Sequence, residues 1–465
     1  MSGSQRIDAT FRRLLDKREA QGRRRRLTLP PPGAVDFSSN SYLSLAENPE
    51  LKARYLALLQ RSGGSSSSSS DHPFSLGSGG SRLLDGNTAF TEALEARIAA
   101  FHRAPAGLLF NSGFDANSGL FGCAPQPRDV VVYDELIHAS VHDGMKLGRA
   151  EAVPFAHNVV GGGGDGAGEA ADAEDDGAPG PRRPARSLSA VLDRLCRGQQ
   201  GEEFRSGERN VFVAVEGVYS MDGDVSPLRD IVACVRERLP RGNGHIIVDE
   251  AHSTGIIGPR GRGLVCHLGL EDQVWARVHT FGKAMGCAGA IVLCSPTTRS
   301  YLINYARSLI YTTALGYPSL AAIQTTYDYL AGGHADRQHR SLQALIRLAH
   351  GNLRSLCGRH QVPSRVLHVK PSVPESPILP LFTASARELA AYCQQRGFLL
   401  RAIVAPTVPK GADRVRLCLH AGNTADEVDA LCKVIEKWTC DKMGIEATGG
   451  QEVQTSMMKS NVSRL

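Results

Sequence analysis

The sequence predicts an α/β fold, with a mostly parallel sheet in a large domain and a smaller α+β unit after it. Two patterns carry that expectation. Short runs of Val, Ile and Leu recur without alternation and each ends in a polar turn, as strands covered on both faces do. From about residue 340 the character changes to amphipathic helices around one alternating stretch.

"TEALEARIAAFH" (91–102) carries Leu94, Ile98 and Ala99 on one helical face. "AGLLFNSG" (106–113) and "RDVVVYDELIHAS" (128–140) follow as apolar runs that break into polar residues. "NVFVAVEGVYSMDGD" (210–224) and "GHIIVDEAHSTG" (244–255) repeat the pattern, and "VWARVHTFGKAMG" (274–286) is a weaker third. In the second unit, 386–397 and 425–438 read as amphipathic helices, and "RVRLCLHAG" (414–422) alternates like a half-solvated antiparallel strand. This gives an N-terminal segment (1–50) packing with the small domain and a large domain (51–335). A small α+β domain (336–440) and a flexible tail (441–465) follow. The serine-rich stretch at 61–73 and the glycine- and acid-rich stretch at 161–187 lack apolar residues to bury, and read as flexible insertions.

Composition narrows the function classes. At 465 residues, with 42% hydrophobic and 22% charged residues, the chain matches an ordinary multidomain globular protein. No apolar run approaches the roughly 18 residues needed to cross a bilayer, and the N-terminus lacks the apolar centre of a secretory signal. Eleven scattered cysteines, without a C-x-x-C pair, read as reduced thiols and not as a disulfide framework or zinc site. The net charge of +6 is modest, and the basic run Arg23–Arg26 has no interleaved aromatics. Neither nucleic acid, nor a membrane, nor a metal is therefore expected as a partner.

The chemistry concentrates on strand ends. "HTFGKAMG" (279–286) seats a lysine in a turn of small residues, with no acid one helical turn away. Asp249 closes another apolar run, His252 follows three residues later, and Lys283 lies 34 residues beyond the aspartate. A lysine that forms an imine needs a neutral amine, which burial and neighbouring positive charge favour. A carboxylate at a neighbouring strand end suits the ring nitrogen of pyridoxal phosphate, and His252 its phenolic oxygen. The phosphate needs N–H groups at a helix start and hydroxyls, which Ser112, Gly113, Phe114 and Thr280 offer. His138, ending "YDELIH", is placed to stack on the ring. Singly, each residue has a structural reading: a turn lysine, a capping aspartate, a core histidine. Their succession on strand ends points to chemistry. "VDEAH" also matches a helicase acidic box, but the chain has no G-x-x-x-x-G-K-[ST] loop to accompany it.

At these residues the chain resembles the α-oxoamine synthases. The likeness runs from about 35 to 440 through "DFSSNSYLSL", "LGSGGSRLLDGN", "NSGFDAN", "HASVHDG", "EGVYSMDGD", "VDEAHSTGIIGPRGRG", "TFGKAMG" and "LIYTTAL", in the family's order. It implies a pyridoxal-phosphate-dependent transferase of fold type I, aspartate-aminotransferase-like, with a mostly parallel seven-stranded sheet. It implies that Lys283 carries the cofactor and serves as base and acid, with Asp249 on the pyridinium nitrogen, His252 on the phenolic oxygen and His138 over the ring. Gly113, Phe114, Ser220 and Thr280 would line the cofactor, while Thr407 and Asn40 would meet substrate. Thr312 or Thr313 would reach the phosphate of a neighbouring subunit, in a homodimer with shared sites.

The stretch "AIVAPTVPKGADRVRLCL" (402–419) is most similar to the family's biotin-biosynthesis branch. That implies a decarboxylating condensation of L-alanine with pimeloyl-CoA, giving 8-amino-7-oxononanoate, CoA and CO2. Val404 stands where the family carries an arginine for the amino-acid carboxylate, so Arg401 is the nearest substitute, and any of Arg23–Arg26 serves as a second one. Siblings using glycine or serine, or another acyl thioester, and a non-catalytic binding subunit are the competing expectations. The closing Ser463-Arg464-Leu465 resembles a peroxisomal address read by an import receptor, with the cytoplasm as the alternative location.

Overall fold

The computed structural model describes residues 3–62, 75–161, 186–199 and 201–445. Most of both low-complexity stretches and the tail from 446, with its Ser463-Arg464-Leu465 ending, lie outside them. After a helix (Gly3–Ala20), β1 (Val35–Asp36) pairs in parallel with Phe398–Leu399. The N-terminal segment is thus joined to the C-terminal unit through this pairing.

Seven strands form the main sheet: β2 (Ala106–Phe110), β3 (Val130–Asp134), β4 (Glu151–Phe155), β5 (Val211–Glu216), β6 (Gly244–Asp249), β7 (Ala276–Thr280) and β8 (Ala290–Cys294). Their order is β2-β8-β7-β6-β5-β3-β4, with β8 antiparallel to both neighbours and the other pairings parallel. All six residues of β5 are buried because the sheet is covered twice. Val211, Val213 and Val215 face one apolar layer with helices Leu188–Leu195 and Leu228–Arg238. Phe212 and Ala214 face the other, with helices Gly113–Cys123 and Ala139–Leu147. Each such valine contributes about 1.5–3 kcal/mol, which is why the run does not alternate. β4 gave no clear signal in the sequence. It is an edge strand with exposed Glu151, Ala152 and Pro154, and an edge tolerates proline.

The smaller unit contains helix Asp336–Arg359, β9 (Ile378–Phe382), helix Ala386–Gln394, β10 (Phe398–Leu399), β11 (Arg401–Ile403), β12 (Arg414–Cys418) and helix Ala425–Met443. β12 is the centre of an antiparallel β11-β12-β9 sheet. Here the expected half-solvated strand is corrected: all five of its residues are buried, Arg414 and Arg416 included. Their polar groups are matched by partners from the large domain, which allows the charges inside. The last helix runs past the expected 438, from a Thr424–Glu427 capping box to Gly444, whose φ of 66° ends it. Among the described residues no helix is long and apolar enough to cross a membrane.

β2, β3, β5, β6 and β7 run in one direction, so their carboxyl ends share one edge of the sheet. Ser112, His138, Glu216, Asp249 and Thr280 all lie at those ends. In open α/β sheets that edge is where ligands bind.

Candidate functional site

Two carboxylates stand side by side at this edge, since Glu216 ends β5 opposite Asp249, the end of β6. Asp249 accepts from Asn117 Nδ2 at 2.7 Å and from the Ala251 N–H at 2.9 Å. Asn117 comes from helix Gly113–Cys123 and also donates to Ser140 Oγ at 3.0 Å. Ser140 in turn holds His138 Nδ1, through Oγ at 2.8 Å and its own N–H at 3.2 Å. An N–H bonded to Nδ1 makes that nitrogen an acceptor, so the proton of neutral His138 lies on Nε2. Glu216 is equally buried, but its Oε1 has no partner. Burial, and then the charge of Asp249, push its carboxyl well above the usual range, against the pull of Lys283.

Lys283 projects from the turn between β7 and β8. Gly286 N–H closes the turn onto the Lys283 carbonyl at 3.0 Å, and Phe281, Ala284 and Met285 are buried beneath it. Small residues are required there. Gly286 has φ 66°, and a Cβ on it would stand 2.6 Å from the backbone nitrogen of Ala46. Burial holds the half-buried lysine below its ordinary pKa, and Arg416 adds to this while Asp249 and Glu216 oppose it. Gly113 is similarly constrained: a Cβ would lie 2.2 Å from Thr280 Oγ1, so only glycine lets the helix start approach that hydroxyl.

His252 is buried, and its Nδ1 lies 2.8 Å from the hydroxyl of Tyr42. Tyr42 is wholly buried and also lies 3.1 Å from both Asn40 Oδ1 and Arg416 Nη2. Arg416 donates from Nη2 to Asn40 Oδ1 at 2.9 Å and from Nε to the Ser220 carbonyl at 2.6 Å. Burial keeps His252 well below its ordinary pKa, and the charges of Lys283 and Arg416 deepen the shift. His138, at the exposed mouth, is lowered by partial burial and by Lys283, with Asp249 opposing.

Lys283, Asp249, His252, His138 and Asn40, all expected from the sequence, are therefore brought into one cluster, and Gly113 meets Thr280 beside it. Ser112 caps its helix, accepting from the Asp115 N–H at 3.1 Å and donating to Asp115 Oδ2 at 2.7 Å, so its proton is committed locally. Phe114 is exposed next to it, and Ser220 is held through its carbonyl. Thr312 Oγ1 accepts from Asn111 at 3.3 Å, whereas Thr313 is exposed; neither hydroxyl bonds a member of the lysine cluster among the described residues. Thr407 is exposed in a turn. Arg401 is exposed on β11, directly opposite Arg416 and so on the same face of that sheet. Val404 packs on the apolar core of the small domain, and Arg23 shares a cleft with it. Arg24 and Arg26 pair with Glu19.

Four residues of this site escaped the sequence reading: Arg416, Tyr42, Asn117 and Glu216. The guanidinium beside the lysine comes from neither position 404 nor 401 but from Arg416 of β12. Two arginines two residues apart on an otherwise apolar strand share a face, and that spacing was the available signal.

Residues 32–435 match the family model described as aminotransferase class I and II. The chain is 49% identical over 430 residues to 8-amino-7-oxononanoate synthase of Emericella nidulans, covering 92% of this chain and 95% of that one. It is 36% identical to aminoacyl transferase sphA of Aspergillus fumigatus, over 90% of this chain and 83% of the relative. Among solved structures it is similar in fold to serine palmitoyltransferase of Sphingomonas wittichii, at TM-score 0.71, 24% identity and 89% of each chain. It is also similar to 8-amino-7-oxononanoate synthase of Francisella tularensis, at TM-score 0.63, 24% identity, 88% of this chain and 99% of that one.

Proposed function

The chain belongs to the aminotransferase class I and II family, and within it to the pyridoxal-phosphate-dependent acyltransferases called α-oxoamine synthases; from that premise we propose that it condenses L-alanine with pimeloyl-CoA to give 8-amino-7-oxononanoate, a step of biotin biosynthesis. The observation that carries the choice of substrates is the 49% identity to 8-amino-7-oxononanoate synthase across 92% of the chain.

The residues present fit the cofactor. Gly113 leaves a cradle between a helix start and Thr280 that any Cβ would fill, which suits a phosphate. Asp249 is a buried acceptor suited to a ring N–H, and Lys283 is an amine whose neutral form burial favours. When bound, pyridoxal phosphate supplies an electron sink for charge at the amino acid's Cα. His252 would face the phenolic oxygen, His138 would cover the ring, and Phe114 and Ser220 would line its sides.

In this reading Arg416 and Asn40 hold the substrate carboxylate, a planar acceptor matched to a guanidinium fork. Lys283 Nζ takes the Cα proton of alanine. The Cα electron pair then forms a bond to the thioester carbonyl carbon while the carbon–sulfur bond breaks, and CoA leaves as the thiolate, which takes a proton from solvent. Next the bond from Cα to the carboxylate breaks, CO2 departs, and Lys283 returns a proton to Cα. In this account Thr407 and Arg401 would meet the substrate, and Thr312 or Thr313 of a second subunit would reach the phosphate, in a homodimer. Sedimentation showing a monomer at micromolar concentration would dispose of the dimer. The Ser463-Arg464-Leu465 ending supports import into peroxisomes by the receptor for such addresses; a Leu465 deletion should stay cytoplasmic, and equal distribution of both forms would contradict it.

A second reading rests on the 36% identity to an aminoacyl transferase and on Val404, which packs in the core where the family carries arginine. It keeps the chemistry and changes the amino acid or the acyl thioester. Free CoA thiol released from pimeloyl-CoA with L-alanine, beside glycine, L-serine and longer acyl-CoAs, separates the two. Release only with alanine and pimeloyl-CoA supports the first, and release only with another pair supports the second.

A further inference from the structure

Among the described residues, Tyr42 is the one side chain whose polar atom lies within hydrogen-bonding distance of Asn40, His252 and Arg416 together. Its side chain is wholly buried, away from bulk solvent. Arg416 has only protons to give, so the Tyr42 oxygen accepts from Nη2. One phenolic proton then remains for two acceptors, His252 Nδ1 at 2.8 Å or Asn40 Oδ1 at 3.1 Å. Asn40 Oδ1 already accepts from the same Arg416 nitrogen at 2.9 Å, whereas among the described residues His252 Nδ1 has no other donor. The shorter contact and the unfilled acceptor coincide at the histidine.

We propose that Tyr42 is a positioning residue that donates its proton to His252 Nδ1 and so fixes the imidazole as the Nε2–H tautomer. Burial and the nearby cations keep His252 neutral, which leaves it a single proton to place. With Nδ1 filled, Nε2 would serve the cofactor's phenolic oxygen as a donor; with the proton on Nδ1 it could serve only as an acceptor. Only the donor can bond a phenolic oxygen that carries negative charge. The inference rests on the reading of His252 given above and extends it to a residue one layer further from the reacting atoms. His138 follows the same rule with Ser140 in the place of Tyr42.

The test is the pH titration of the visible absorption band of the cofactor-loaded, full-length protein. A donor to the phenolic oxygen stabilises the form with more negative charge there, so losing it raises the midpoint. Tyr42→Phe should raise the midpoint by about one pH unit, as His252→Gln should, since a hydrogen bond to a charged group is worth about that much. Asn40→Ala should leave it within about 0.2 pH unit, since the proton is not on Asn40. A purely packing role for Tyr42 would lower thermal stability without moving the midpoint. If His252→Gln moves the band and Tyr42→Phe does not, the role of Tyr42 falls alone. A shift in Asn40→Ala matching that of His252→Gln puts the proton on Asn40 and also overturns it. If wild type forms no pH-dependent band, or His252→Gln leaves it unmoved, the reading of His252 falls and takes this inference with it.

Discussion

Glu216 and Asp249 occupy the same register on adjacent strands, are equally buried, and have opposite surroundings. Asp249 accepts two N–H donors, so its negative charge is solvated by the protein. Glu216 has an oxygen without a partner and a carboxylate as its neighbour, and it is pushed towards the protonated form. Two like functional groups thus have different surroundings, set by the Asn117 side chain and the Ala251 N–H on one and an unpartnered oxygen on the other. In the proposed function Asp249 would hold charge against a ring N–H, and Glu216, pushed towards its protonated form, would not compete for Lys283.

The largest effect expected from breaking this contrast is on Asp249. Asp249→Asn keeps the shape and removes the charge; at ~4 Å and an effective dielectric near 20 that is about 4 kcal/mol, or roughly three decades in the rate of CoA release. A loss under tenfold would mean the charge does not act in the rate-limiting step. Asn117→Ala removes one of the two donors and should cost about tenfold in the same assay, in line with one hydrogen bond to a charged group. Glu216→Gln imitates a protonated carboxyl, so CoA release should stay within about threefold and thermal stability should not fall. A hundredfold loss there would show that Glu216 is ionised and works as a charged group beside Lys283.

Two histidines repeat the contrast and predict smaller effects of opposite sign. His102 is wholly buried between the Arg262 carbonyl and the Tyr327 hydroxyl, and burial, helped by Arg277, holds it down to about 3. Its folded value lies below the unfolded one of about 6.5, so its stability is intact above pH 6.5 and is lost as the pH falls towards 3. At pH 5 that is about 2 kcal/mol, a drop of a few degrees in Tm that His102→Phe should reduce. Burial would also lower His157, but Nδ1 donates to Asp134 and Nε2 to Asp224, and these raise it to about 10. Its contribution is present below about pH 6.5 and is lost as the pH rises through 10, so His157→Gln should flatten the alkaline side of the Tm profile. Unchanged profiles in both variants would contradict the two assignments.

The main sheet was legible because a strand buried on both faces must be apolar throughout, and Val211–Val215 shows this directly. β4 was not, since an edge strand can carry Glu151 and Pro154 without a burial pattern. In the site, Lys283, Asp249 and His252 could be found because each ends a strand run or sits in a turn of small residues. Arg416 and Tyr42 could not, because each reads as part of an ordinary strand or loop until the fold brings residue 42 against 252 and 416. Their roles come from contacts more than 200 positions apart in the chain, which no local pattern contains. The same holds for β12, whose alternation matched a solvated strand while its arginines were satisfied from the large domain.

These strand ends gather around Lys283, the proposed attachment point of pyridoxal phosphate. Borohydride treatment of the cofactor-loaded protein fixes a lysine-bound pyridoxal group as a stable amine, and peptide mass spectrometry then locates it. The label is expected on the peptide containing Lys283 and is expected to disappear in Lys283→Ala. A label on another lysine in the wild-type protein, with Lys283 unmodified, would contradict it.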